Sequence, residues 1–365
     1  LESDLALGNM LVSLYAKTGS LNSSQQLFDR LQVQNVVSWS TIMEGHVIEG
    51  SSEKVFAYFQ LMQVMGVYPD VVTFICMLKA CGNIGAIDKG QKLHASLYAK
   101  ELAQKNVMVG NALVDMYGKC GFLTKASELF DEMLVRDVIS WTTLIAGYVT
   151  HEHGNKAVNC FDQMQLEGVS PNVATFACTL KACGSTGAKD KGREIHEMII
   201  KEFLHKDIVI GNALMDMYAK CGLLTKSHSM FESFVVRDVV AWTALITGYV
   251  QLGDSVNVFH IFDTMKVEGI KPDCVTYLSI LSACSHMGLV DMGHIYFNAM
   301  VEDYNGGPEL EHYTCVIDLL SRTGNVDCAL DTLKKMHYPA DVVLWHAVLD
   351  ASRKLGHVQL QEWCT

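Results

Sequence analysis

Twelve cysteines and fourteen histidines are the residues of this 365-residue chain that could hold a metal or run redox chemistry. Their spacing argues against both. No two cysteines form a C-x-x-C pair, which removes the usual zinc frameworks. A zinc-dependent base deaminase also needs an H-x-E triplet whose Glu moves protons, and none occurs. The triplet His151, Glu152, His153 falls at a repeat turn without a third ligand and reads as a solvated loop. There is no P-loop, no nucleophile elbow and no G-x-G-x-x-G. The sequence predicts a chain without catalytic residues, metal or cofactor.

What does recur is an asparagine in a fixed setting. "GNALVDMYGKCG" from Gly110 returns as "GNALMDMYAKCG" from Gly211, 101 residues on, and a looser "GNMLVSLYAKTG" starts at Gly8. Around it "VVSWSTIMEGHV" at Val36 matches "VISWTTLIAGYV" at Val138 and "VVAWTALITGYV" at Val239. "VVTFICMLKACG" at Val71 matches Val173 and Cys274 in the same way. A cycle of about 101 residues thus contains three related units of roughly 31 to 36 residues, the signature of a repeat architecture. Cys81, Cys183 and Cys284 share one phase and Cys120 and Cys221 another. Equivalent positions in a stacked array cannot converge on one metal, so these cysteines are expected to be small apolar core residues of a reduced protein.

Each unit reads as two helices. Leu113, Met116, Tyr117 and Cys120 fall at i, i+3, i+4 and i+7, and Gly121 supplies a helix end. Leu123, Ala126, Leu129, Phe130 and Met133 mark a second stripe. Neither stripe can be buried alone, so neighbours must stack: the predicted fold is all-α, an α-solenoid of helix-turn-helix repeats. Trp39, Trp141, Trp242 and Trp345 recur in phase and are expected in its core.

Half of the residues are apolar, only 5 are Pro, and no flexible linker interrupts the array. No apolar run reaches the ~18 residues of a membrane span. The chain opens at "LESD" without Met, so any targeting peptide is expected upstream. A formal charge of -12 disfavours general polyanion binding and requires any nucleic-acid site to be local.

The segments "NALVDMYGKCG", "DVISWTTLIAGYV" with "AVNCFDQMQLEGVSPN", and "TFACTLKACGSTGAKDKGREIH" resemble the S, P and L motifs of plant pentatricopeptide repeat proteins of the PLS subclass. The resemblance covers essentially the whole chain and assigns S motifs to 5–35, 107–137, 208–238 and 310–341, P motifs to 36–70, 138–172 and 239–273, and L motifs to 71–106, 173–207 and 274–309. Residues 1–4 would close a truncated L motif. Residues 342–365 resemble the start of a C-terminal E-type extension. The resemblance implies binding of single-stranded RNA in a mitochondrion or chloroplast, most often for C-to-U editing, with a deaminase either beyond residue 365 or acting in trans. No membrane is implied.

In that family one base is read per repeat by the fifth residue of a motif together with its last residue, a workable way to address unstacked RNA. An amide can donate to and accept from a pyrimidine edge, whereas a hydroxyl leaves room for a purine. Asn9 with Asn35 resembles a cytosine pair, Ser40 with Asp70 a guanine pair, Asn111 with Asp137 and Asn212 with Asp238 uracil pairs. Thr142 with Asn172 resembles an adenine pair, and Thr243 with Asp273 and Thr314 with Asp341 guanine pairs. The L motifs place Ile75, Ala177 and Leu278 at the fifth position and assign no base. The expected target is C-G-N-U-A-N-U-G-N-G. The simpler alternative is that Asn111 and Asn212 merely cap helices.

The family's second motif residue clamps bases, which points to Val37, Met108, Ile139, Val209 and Val240, with Glu311 as a departure. Lys17, Lys119, Lys220 and Arg322 recur at the end of the first S helix, as a basic ladder toward RNA phosphates or as complements to the helix dipole. An organellar splicing or transcript-stability factor and a protein-binding helical scaffold are the competing readings.

Overall fold

A computed structural model describes residues 5–99, 102–234, 237–303, 307–336 and 345. Every regular element among them is helical. The chain divides into two compact units, Leu1–Ala182 and Cys183–Thr365.

The first unit runs α1 (Leu5–Lys17), α2 (Leu21–Arg30), α3 (Val36–Glu49), α4 (Ser52–Val64), α5 (Val71–Asn83), α6 (Ile87–Ala99), the short α7 (Leu102–Lys105), α8 (Val107–Lys119), α9 (Leu123–Glu132), α10 (Val138–Thr150) and α11 (Gly154–Leu166), and ends within α12 (Val173–Thr186). The second runs α13 (Lys189–Lys201), a 3-10 turn at Leu204–Lys206, α14 (Ile208–Lys220), α15 (Leu224–Ser233), α16 (Val239–Gln251), α17 (Ser255–Val267), α18 (Cys274–Met287), α19 (Val290–Asp303), α20 (Leu310–Arg322) and α21 (Val326–Lys335).

In the first unit the leading helices of successive pairs pack on one another, α1 on α3, α3 on α5, α5 on α8 and α8 on α10, each also against its own second helix. In the second unit α14, α16, α18 and α20 form the same row. Within each unit the fold is therefore an α-solenoid of helix pairs, with a layer of leading helices backed by a layer of second helices.

The periodic apolar positions supply the core. Leu113, Met116, Tyr117, Leu123, Ala126, Leu129, Phe130 and Met133 are all buried. Trp39, Trp141 and Trp242 are buried and meet Phe28, Phe130 and Phe231 edge to face at 4.9, 4.6 and 4.6 Å, so they fasten α3, α10 and α16 each to the second helix before it. Trp345 departs from this expectation: 37 % of its surface is exposed. Gly121 takes φ +82° in the turn between α8 and α9, a conformation that glycine adopts without strain. Gly147 lets α10 approach α8 until a Cβ there would lie 3.5 Å from the Gly118 Cα. No helix among the described residues is long and apolar enough to cross a membrane.

Candidate nucleic-acid interface

At six junctions between pairs the side chain that caps the next leading helix belongs to a residue expected to pair with a fifth residue. Asn35, Asp70, Asp137, Asn172, Asp238 and Asp273 each accept at Oδ1 from the backbone N of the residue three on: Ser38 at 3.0 Å, Thr73 at 2.8 Å, Ser140 at 2.8 Å, Thr175 at 2.9 Å, Ala241 at 2.9 Å and Thr276 at 2.8 Å. Asn111 and Asn212, by contrast, do not cap. They are the fifth residues of α8 and α14, whose caps are Asn106 and Asp207, so the capping alternative for them is overturned.

The fifth residues lie within reach of the capping side chains. Asn111 Nδ2 donates to Asp137 Oδ1 at 3.3 Å, and Asn212 Nδ2 to both Asp238 oxygens at 3.1 Å. Asn9 Nδ2 donates to Asn35 Oδ1 at 3.4 Å, and Ser40 Oγ to Asp70 Oδ1 at 3.2 Å. Thr142 reaches Asn172 only through Thr175, whose Oγ1 lies 2.6 Å from the Thr142 hydroxyl and donates to Asn172 Oδ1 at 2.9 Å. Thr243 reaches Asp273 in the same way through Thr276, at 2.7 Å on both sides. Thr314 bonds to Leu310 O at 2.8 Å. Its partner Asp341 lies outside the described residues, as do residues 1–4 and, apart from Trp345, residues 342–365.

Burial alone would raise the Asp137 carboxyl, but hydrogen bonds from Ser140 N, Ser140 Oγ, Asn111 and the Ile139 amide together hold it below its ordinary value. An ionised carboxylate only accepts, so it fixes which end of the Asn111 amide turns toward it. The loop that presents these caps is braced from behind. Gln34 donates to Phe28 O at 3.0 Å and Arg237 Nε to Phe231 O at 3.1 Å. Arg136 and Arg237 also stack over Phe130 and Phe231 and pair with Glu167 and Glu268 at 3.1 and 3.4 Å.

One residue after each leading helix begins, Val37, Met108, Ile139, Val209 and Val240 expose 50 to 59 % of their surface. Val72 and Val275, outside the set expected from the sequence, stand at the same place in α5 and α18 and expose 43 and 50 % of their surface. Glu311 occupies this place in α20.

The cations at the ends of α8, α14 and α20 do not form an unpaired basic row. Lys119, Lys220 and Arg322 pair with Asp115, Asp216 and Asp318, four residues earlier, at 2.9, 2.8 and 2.9 Å. Lys119 Nζ also donates to Asn83 Oδ1 at 3.2 Å. Lys17, with Ser13 four residues before it, has no such carboxylate.

Cys81, Cys183 and Cys284 are fully buried, and burial pushes the Cys81 and Cys284 thiols up to about 11 and about 12, as protonated packing residues. The two cysteine phases meet in packing, Cys120 Sγ lying 3.9 Å from Cys81 O and Cys221 Sγ 3.7 Å from Cys183 O. His151 Nε2 bonds to Gly118 O at 2.7 Å, and among the described residues no group of three or more His, Cys, Asp or Glu side chains is placed to hold a metal.

Comparison with known proteins adds a family. The PPR repeat family profile matches residues 34–83, 136–185 and 237–286, and the PPR repeat profile matches 111–138, 212–239, 275–304 and 311–338. A pentatricopeptide repeat-containing protein of Arabidopsis thaliana is 36 % identical over 98 % of this chain and 49 % of its own length. A mitochondrial relative from the same plant is 34 % identical over 96 % of this chain and 41 % of its own, and a chloroplastic one 35 % over 98 % and 41 %. The chain spans about half the length of the curated relatives it matches. The maize pentatricopeptide repeat protein PPR10 shares the fold at TM-score 0.65 and 18 % identity, covering 97 % of this chain and 57 % of that one. PPR10 in complex with an 18-nt psaJ RNA element gives 0.67 and 19 %, covering 97 % and 53 %.

Proposed function

The chain belongs to the pentatricopeptide repeat family, and from that premise we propose that it is a sequence-specific single-stranded RNA-binding module of a plant organelle, the site-recognition part of a C-to-U editing factor. The observation that carries the reading is the repeated meeting of a fifth residue with the cap of the following helix. Four such pairs touch directly and two meet through a shared hydroxyl. A protein-binding groove has no need for two polar positions in one register, whereas a base edge needs both a donor and an acceptor at fixed places. Half-exposed apolar residues one turn away supply faces against which a base can stack. Relatives named mitochondrial and chloroplastic support an organelle, and the PLS phasing of the motifs supports editing.

The motif order gives the target C-G-N-U-A-N-U-G-N-G, read 5′ to 3′ from the N-terminal repeat. Selection from a randomised RNA pool with the recombinant chain is expected to enrich U-A-N-U-G. A pool that emerges without it removes the base-reading assignment. Loss of editing at a transcript site a few bases 3′ of that sequence, in plants lacking the protein, would separate editing from splicing or transcript protection.

A further inference from the structure

The third residue of each leading helix carries a pattern that capping alone does not explain. Ser38, Thr73, Ser140, Thr175 and Thr276 are all fully buried hydroxyls, each following a motif whose fifth residue is polar. After the L motifs, whose fifth residues are Ile75, Ala177 and Leu278, the same place holds Val109, Ile210 and His312. Yet α8 and α14 also begin with Asn or Asp caps and would gain as much from a reciprocal hydroxyl. The hydroxyl follows the polar fifth residue and not the need for a cap.

Its contacts agree. Ser38 Oγ donates to Asn9 Oδ1 at 2.7 Å and lies 3.1 Å from Asn35 Oδ1. Thr73 Oγ1 lies 3.0 Å from Ser40 Oγ and donates to Asp70 Oδ1 at 2.7 Å. Thr175 and Thr276 bridge Thr142 to Asn172 and Thr243 to Asp273. A hydroxyl has one proton. When Thr175 gives its own to Asn172, the Thr142 proton is drawn inward, toward Thr175 or Val138 O at 2.7 Å, and the Thr142 oxygen is left as an acceptor.

We propose that these third-position hydroxyls are positioning residues for base reading: they set the donor or acceptor state of the fifth residue and the rotation of the capping carboxylate, and thereby the base discrimination of the preceding repeat. The inference rests on the RNA-binding reading above. The chain contains its own control. Ala241 replaces the hydroxyl after Asn212 and Asp238, and there Asn212 Nδ2 meets both carboxylate oxygens, whereas Asp137, held by Ser140 Oγ at 2.9 Å, meets Asn111 with one. Two pairs of the same type thus present differently turned carboxylates.

The test measures binding of RNA oligonucleotides carrying U, C, A or G at single positions opposite the Asn111 and Asn212 repeats, for the unaltered chain and for Ser140→Ala, Ser140→Thr, Ala241→Ser and Thr175→Val. We expect weaker discrimination at the Asn212 position than at the Asn111 position in the unaltered chain. Ser140→Ala should reduce the U preference at its own position about threefold to tenfold, the worth of one hydrogen bond, with the other positions unchanged, and Ser140→Thr should keep it. Ala241→Ser should sharpen the Asn212 position, and Thr175→Val should blunt the A preference opposite Thr142. A purely structural role would lower affinity for every RNA alike. Thermal unfolding monitors folding, and if Ser140→Ala does not fold, Ala241→Ser decides. Unchanged discrimination ratios in folded variants overturn the inference, whereas an unaltered chain indifferent to every base overturns the RNA reading itself.

Discussion

At the scale of a residue, Asp137 combines two duties on one oxygen: its Oδ1 caps α10 through Ser140 N and accepts from Asn111. The two duties separate by substitution. Asn35 and Asn172 show that an amide caps equally well in this setting, so Asp137→Asn should change stability by less than about 0.5 kcal/mol. It turns the pair into the type formed by Asn9 and Asn35, and preference opposite Asn111 should move from U toward C in competition binding. Asp137→Ala removes both, and thermal unfolding should show a loss of about 1 kcal/mol together with lost base preference. Because the native Asp137 carboxyl lies below its ordinary value, its contribution is complete above pH ~4 and fades as pH falls through the native value. Half of this geometry was legible: family phasing identifies Asn111 and Asp137 as partners, but it leaves capping by the asparagine open as the simpler alternative. An Asn before an apolar run satisfies the capping rule by type alone, and only the true helix start at Val107 shows that Asn106 takes that place.

At the scale of an element, the last turn of α8 or α14 joins a cation to a carboxylate one turn earlier. The lysine ladder is readable from the repeat phase, whereas its neutralisation rests on Asp115 and Asp216 at i-4, a local pair that the repeat phase does not single out. Pairs this exposed are worth about 0.3 to 0.5 kcal/mol, little enough for an RNA phosphate to displace the carboxylate. Lys119→Ala with Lys220→Ala should therefore weaken binding to all sequences alike and reduce the slope of log K against log salt by about 2. Asp115→Asn with Asp216→Asn should do the opposite, raising affinity uniformly and narrowing the gap between target and random RNA. Fluorescence anisotropy across a salt series reads both. Unchanged affinity and slope in the folded lysine variant would remove these side chains from the phosphate contacts.

At the scale of the whole molecule, the solenoid was legible because identical phases of Trp, Gly and apolar residues leave stacked helix pairs as the only arrangement that buries every stripe. What the pattern hid is where individual copies diverge, since a repeat profile averages over them. Trp345 shares the tryptophan phase yet is exposed, and His46 stands where Tyr148 and Tyr249 stand in the other copies. That divergence has a thermodynamic consequence. His46 is fully buried and stacks on Tyr58 at 5.1 Å, while His94 and His196 bond to the hydroxyls of Tyr117 and Tyr218 at 3.0 and 2.7 Å. Burial lowers all three imidazoles below their ordinary value, and Lys54, Lys125 and Lys226 add to the shift against the weaker pull of Glu49, Glu132 and Glu197. With native values below unfolded ones, the unfolded chain binds protons first as pH falls, so stability is lost below pH ~6.5 and the loss levels off once the native values are passed. The apparent Tm should accordingly fall between pH 7.5 and pH 5, a window well above the one in which Asp137 acts. His46→Tyr copies the residue at the same place in α10 and α16, and His94→Phe with His196→Phe copies Phe297 at the corresponding place in α19. The triple variant should flatten the Tm profile across that window, and an undiminished slope in it would mean that the acid sensitivity arises elsewhere.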